Sequence, residues 1–122
     1  GPFQDRIFSL YFDWDQDFLV YQYDDYLLDH AYYWLRDAKP KRIIITGYAD
    51  RKGEAVSGQP LREDAGIAEA RARKVALALT RLNIDPAIIS VKWAEDAPAR
   101  SDPEADGLVA PSRRRVDIDA RF

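Results

Sequence analysis

Arg71 is the residue whose placement most invites chemistry. It lies on the helical row Ile67, Arg71, Val75, so a permanent charge interrupts an otherwise apolar row beside a core stripe. Such an arginine either lays its stem on the core and lifts its head into water, or turns its planar fork into a cleft and grips a carboxylate bidentately. The chain holds 21 Asp and Glu residues, so their number alone names no partner. Asp50 stands out by context. In "ITGYADRKG", Ile45 to Gly53, an apolar run ends at Thr46–Gly47 and an acid, two bases and a glycine follow.

Other chemistries are less well supplied. Asp13, Asp15 and Asp17 alternate in "DWDQDF" like the opening of a calcium loop. Such a loop needs Gly at its sixth position and a bidentate Glu at its twelfth, where Phe18 and Asp24 stand, so the stretch reads as an acidic connection between a strand and a helix. His30 is the single histidine and there is no cysteine, which removes the usual metal sets and any thiolate nucleophile. No serine sits in a nucleophile elbow. Gly47 and Gly53 fit neither a dinucleotide nor a phosphate loop. We therefore expect no enzyme, no metal and no cofactor. Tyr21, Tyr23, Tyr26, Tyr32, Tyr33 and Trp34 are more rings than one helix face can bury. They read as amphipathic packing with hydroxyls in water, the alternative being a contact surface for a partner or a sugar.

The elements that must position these residues follow from periodicity. Ile7–Phe12 reads as a strand. Tyr23–Ala38 fits a helix, with Leu27, Leu28, Ala31, Trp34, Leu35 and Ala38 at steps of three and four, closed by Pro40. "RIIITGY" is a short buried strand. "EAVSGQPLREDAG" reads as a loop by its Gly, Pro and Ser content. "IAEARARKVALALTRL" is the clearest helix, with Ala68, Ala72, Val75, Ala76, Leu79 and Leu82 as its apolar stripe and Asp64 or Glu63 as its cap. Ile88–Trp93 is a strand after a turn at Pro86. A long polar loop precedes "RRRVDIDARF", whose alternation makes a closing strand. The order β-α-β-α-β-β implies an α+β sandwich, with helices packed on one face of a mixed four-stranded sheet.

The 122 residues suit one domain, expected over residues 3–122, with Gly1–Pro2 as the remnant of a cleaved tag. A net charge of −3 and a pI near 5.1 argue against a nucleic-acid partner. No apolar run approaches the roughly 18 residues that span a bilayer, so no membrane contact by this domain is expected.

"ITGYAD", "IAEARARKVALALTRLNIDPAIISVKW" and "SRRRVDI", in that order, resemble the OmpA-like peptidoglycan-binding domain family, whose hallmark reads roughly TGHTD, then N-x-x-L-S-x-x-R-A-x-x-V, then N-R-R-V. "YFDWD" resembles that family's first-strand phrase, and the likeness runs from about Phe8 to Ile118. It implies a periplasmic, non-enzymatic domain of an outer-membrane or envelope-anchored protein, bound non-covalently to peptidoglycan through the diaminopimelate of the stem peptide. Carried over, Asp50 would meet the ligand's ammonium and Arg71 its carboxylate. Asp13, Trp14, Ala49, Asp64 and Ile67 would line the cleft, with Arg114 and Arg115 supporting it. Without ligand, Asp50 and Arg71 would pair with each other or with Arg114 or Arg115, and Arg71→Ala should leave the fold intact. The sequence departs from the pattern at Tyr48, Ala49, Asp64, Ile67, Ala68 and Arg113, and the stretch between Asp50 and Arg71 is longer than in the family. These departures admit a second expectation, a protein-interaction module with weak or no peptidoglycan binding and an envelope protein as partner.

Overall fold

A computed structural model of the chain describes residues 3–13, 16–17, 27–51, 54–56, 59–61, 63–94 and 113–122. The elements among the described residues include β1 (Arg6–Tyr11), a π-helical turn (Leu27–Tyr32) running into α1 (Tyr33–Ala38), β2 (Arg42–Tyr48), β3 (Glu54–Val56), β4 (Gln59–Leu61), α2 (Ile67–Arg81), a 3₁₀ turn (Pro86–Ile88), β5 (Ile89–Ala94) and β6 (Arg115–Arg121). The main sheet has the order β1-β6-β2-β5. β6 is antiparallel to both β1 and β2, while β5 is parallel to β2 across the α2 crossover. This is the expected mixed four-stranded α+β arrangement.

Strand alternation decides which face the helices cover. Successive side chains point to opposite faces, and the register aligns Phe8, Ile118 and Ile45 across three strands and Leu10, Val116 and Gly47 beside them. Phe8, Leu10, Ile45, Val116 and Ile118 form one buried cluster with Ala31 and Leu35 from the first helical segment and Ala72, Val75 and Leu79 from α2. The other face is polar: Ser9 Oγ donates to Asp117 Oδ1 at 2.8 Å, and Arg115 pairs with Asp117 at 3.2 Å. Trp34 packs edge-on against Phe8 and Phe122 at ring separations of 5.5 and 5.8 Å. Tyr33 is 45% exposed with the Arg36 guanidinium above its ring. Tyr21, Tyr23 and Tyr26 lie outside the described residues.

Gly47 sets how closely α2 approaches the sheet. A Cβ there would lie 2.0 Å from the Ala68 carbonyl oxygen and 2.9 Å from Ala72 Cβ. With Ala68 and Ala72 as the facing residues, the helix rests directly on the β2 backbone.

Several expectations shift. Residues 27–32 wind as a π-helix rather than as part of one α-helix, a difference that apolar steps of three and four over six residues do not reveal. The stretch read as a loop contains a hairpin, β3–β4, pairing Glu54 with Leu61 and Val56 with Gln59. Its arms are three residues each and one holds Pro60, which weakens any strand signal. Neither Asp64 nor Glu63 occupies the N-cap position of α2. Gly66 holds that position with φ 92°, a conformation open to glycine without strain, and offers no capping side chain of its own. Pro86–Ile88 form a short 3₁₀ turn before β5, with Asp85 Oδ1 accepting from the Ala87 N–H.

Candidate functional site

β2 and α2 bring the two charged residues singled out by sequence to one place. Asp50 lies two residues beyond the end of β2, and Arg71 in the second turn of α2. Both are fully buried, as is Glu63. The chain leaves at Asp50, runs through the β3–β4 hairpin and returns at Glu63, where the Glu63 N–H donates to the Asp50 carbonyl at 3.0 Å. In return the Asp50 N–H donates to Glu63 Oε1 at 2.8 Å. The Arg51 guanidinium also donates to the Glu63 carbonyl. This closure fixes the Glu63 carboxylate at the foot of the excursion, facing α2.

Arg71 meets that carboxylate with both ends of its fork. Nη1 donates to Glu63 Oε1 at 2.8 Å and Nη2 to Glu63 Oε2. The rest of the guanidinium binds backbone carbonyls from two other segments: Nε to Gln16 at 2.8 Å, Nη1 to Tyr48 at 3.0 Å and Nη2 to Asp13 at 3.1 Å. These five hydrogen bonds use every N–H of the guanidinium. The Phe12 ring lies 5.2 Å from its central carbon, a cation–π contact in a desolvated setting. Arg71 thus ties the exit of β1, the end of β2 and the return of the hairpin to α2. Of the two fates open to an arginine on an apolar row, it takes the inward one, and the carboxylate it grips is the protein's own.

The expected partnering is accordingly corrected. Arg71 pairs bidentately with Glu63, a partner outside those expected, and Glu63 is delivered by a backbone closure that needs no ligand. Beside Asp50 stands Arg113, whose Nη1 lies 3.8 Å from Asp50 Oδ1. Arg114 Nε donates to the Phe12 carbonyl at 3.2 Å, at the end of β1. Arg115 turns to the polar face of the sheet, where it stacks 4.6 Å over the Tyr48 ring and pairs with Asp117.

The remaining candidates distribute as follows. Ala49 is buried between Tyr48 and Asp50. The Asp13 side chain is exposed while its carbonyl holds Arg71. Asp64 is exposed and Ile67 half-buried at the start of α2. Trp14 lies outside the described residues, as does Asp15 of the alternating acids. Among the described residues, no group of three or more His, Asp or Glu side chains is placed to hold a metal ion. Among them, too, no helix is long and apolar enough to cross a membrane.

Sequence reasoning gave Glu63 and Gln16 no place in the site and treated Arg113 only as a departure from a pattern. A loop carboxylate has no periodic signature. The one available signal for Glu63 was the unanswered charge of Arg71 eight residues later, just inside the helix that the loop enters.

The family whose sequence model matches residues 11–110 is described as the OmpA family. No curated protein matches the chain. Among solved structures, the chain is similar to the cell wall anchor of the T6SS from Pseudomonas aeruginosa, with a TM-score of 0.70 and 20% identity over 96% of this chain and 81% of that one. It is similar to the OmpA-like domain of FopA1 from Francisella tularensis subsp. tularensis, with a TM-score of 0.68 and 17% identity over 95% and 71%. It is also similar to the peptidoglycan-associated lipoprotein from Burkholderia pseudomallei, with a TM-score of 0.64 and 24% identity over 90% and 86%.

Proposed function

Because this chain belongs to the OmpA family, we propose that it binds bacterial peptidoglycan non-covalently and tethers an envelope protein to the cell wall from the periplasmic side. The ligand is the diaminopimelate end of the stem peptide. The supporting observation is the charged cluster where β2, α2 and the turn before β6 converge: Asp50 and Glu63 against Arg71 and Arg113. An amino group and a carboxylate on one carbon call for an acid and a guanidinium close together, and this cluster holds both. Two structural neighbours described as a cell wall anchor and a peptidoglycan-associated lipoprotein share the fold.

Asp50 is the residue assigned to the ligand's ammonium. Its own N–H is engaged with Glu63, so its backbone is fixed and its carboxylate is held in place beside Arg113. Asp50→Asn keeps the shape and removes the charge. In co-sedimentation with purified sacculi at low salt, the wild-type chain is expected in the pellet and Asp50→Asn at least about tenfold weaker, the loss of one charge-assisted contact. Wild-type protein that stays in the supernatant refutes wall binding. That result favours the second reading, a protein-interaction module, which has one observation on its side: Arg71 already carries an internal carboxylate.

A further inference from the structure

We infer that Arg113, not Arg71, receives the carboxylate of the ligand, and that it does so by moving off Asp50 as the ligand's ammonium arrives; this rests on the reading that the domain binds peptidoglycan.

The first ground is that Arg71 has nothing left to offer. Its five hydrogen bonds go to Glu63 and to three carbonyls, and it is fully buried. A ligand carboxylate would have to expel Glu63, which is itself anchored by its own N–H and by the Asp50 N–H. That exchange replaces one bidentate carboxylate by another and leaves Glu63 as an uncompensated charge.

Arg113 is the opposite case. Its Nε is buried and has no hydrogen-bond partner among the described residues. Its Nη1 faces Asp50 at 3.8 Å, beyond hydrogen-bond distance. A buried N–H without an acceptor is destabilising, and a carboxylate approaching the Nε edge of the guanidinium would satisfy it bidentately. Arg113 is also reachable: its side chain keeps 19% of its exposure while that of Asp50 keeps 1%. It is therefore the more solvent-accessible member of the pair.

The two neighbouring arginines do not compete for the role. Arg114 is held at the Phe12 carbonyl, and Arg115 is held at Tyr48 and Asp117 on the sheet's other face.

The binding step is then an exchange. The ligand's ammonium takes the place of the guanidinium at Asp50, and the displaced guanidinium closes on the carboxylate of the same ligand carbon. Charge is conserved at each position, and the contact between Arg113 and Asp50 that must break is a long one. Arg71 and Glu63 act as positioning residues that hold the Asp50 backbone.

The test is calorimetric titration of the whole chain, wild type and Arg113→Gln, with meso-diaminopimelate and with 1,5-diaminopentane, the same diamine without carboxylates. Arg113→Gln is expected to weaken diaminopimelate by about tenfold to a hundredfold, to leave diaminopentane binding unchanged or tighter, and to melt with the wild type. Wild-type affinity for diaminopimelate in Arg113→Gln overturns the assignment, as does an equal loss for both ligands, which is the mark of a merely structural role. Wild-type protein that sediments with sacculi yet ignores diaminopimelate overturns it while leaving wall binding standing. Wild-type protein that binds neither sacculi nor diaminopimelate overturns the underlying reading.

Discussion

Arg71→Ala is expected to melt more than about 10 °C below the wild type. Breaking a buried ion pair by removing one partner costs about 3–5 kcal/mol, because the other charge is left uncompensated. That is a large part of the 5–15 kcal/mol typical of a domain's total stability, and in a chain of this size it converts to a double-digit fall in melting temperature. Here the loss reaches further than Glu63. The Asp13, Gln16 and Tyr48 carbonyls lose their donor at the same time. For that reason Arg71→Met combined with Glu63→Leu should also remain destabilised, although an apolar replacement of an isolated buried pair is often neutral. Arg71→Lys should fall between, since one ammonium cannot reproduce a planar fork. A thermal melt by circular dichroism checks all three, and a fall of under about 3 °C for Arg71→Ala would contradict the role given to this arginine. This expected outcome differs from the sequence-based expectation that Arg71→Ala leaves the fold intact, because the five hydrogen bonds of Arg71 are internal. Loss of sacculus binding in that variant says nothing about ligand contact, which is why Asp50 and Arg113 carry the binding tests.

Gly47→Ala should be nearly as damaging for one added methyl group. The new Cβ meets a backbone oxygen at 2.0 Å and a backbone nitrogen at 3.0 Å, so no rotamer change relieves it. α2 must lift from β2. Overpacking of this kind typically costs about 1–3 kcal/mol, and a clash with main chain belongs at the upper end. The displacement also acts on the site, because Arg71 adjoins Ala72 and bonds the Tyr48 carbonyl next to Gly47. Urea denaturation is expected to show a lower midpoint, with diaminopimelate affinity reduced in the molecules that remain folded. An unchanged midpoint would mean that the close approach of helix and strand is not tight.

The parts of this fold that were legible in the sequence are those with a period. Val116, Ile118 and Ala120 alternate because one side of β6 faces the helices, and Ala68, Ala72, Val75 and Leu79 recur because one side of α2 faces the sheet. The same logic exposed Arg71, since a charge on an apolar row is a visible breach of the pattern. What the breach could not tell is which acid answers it. Glu63 is fixed by a backbone closure across a hairpin, and neither the closure nor the hairpin leaves a periodic trace: the arms are short and one carries Pro60. Asp64 and Glu63 both offer a helix cap by preceding an apolar run, but Gly66 takes the cap position and the Glu63 carboxylate faces inward. Arg113 illustrates the same limit. Three consecutive arginines look alike in sequence, and only the strand register sends Arg115 to the polar face and leaves Arg113 beside Asp50.

The most direct test of the central claim is competition. Wild-type protein is pelleted with purified sacculi, and free meso-diaminopimelate is then added at increasing concentration. Release into the supernatant, with diaminopentane releasing far less, is the result expected of a site that reads both charges of one ligand end. Protein that never pellets, or that stays on the sacculi at saturating diaminopimelate, would contradict it.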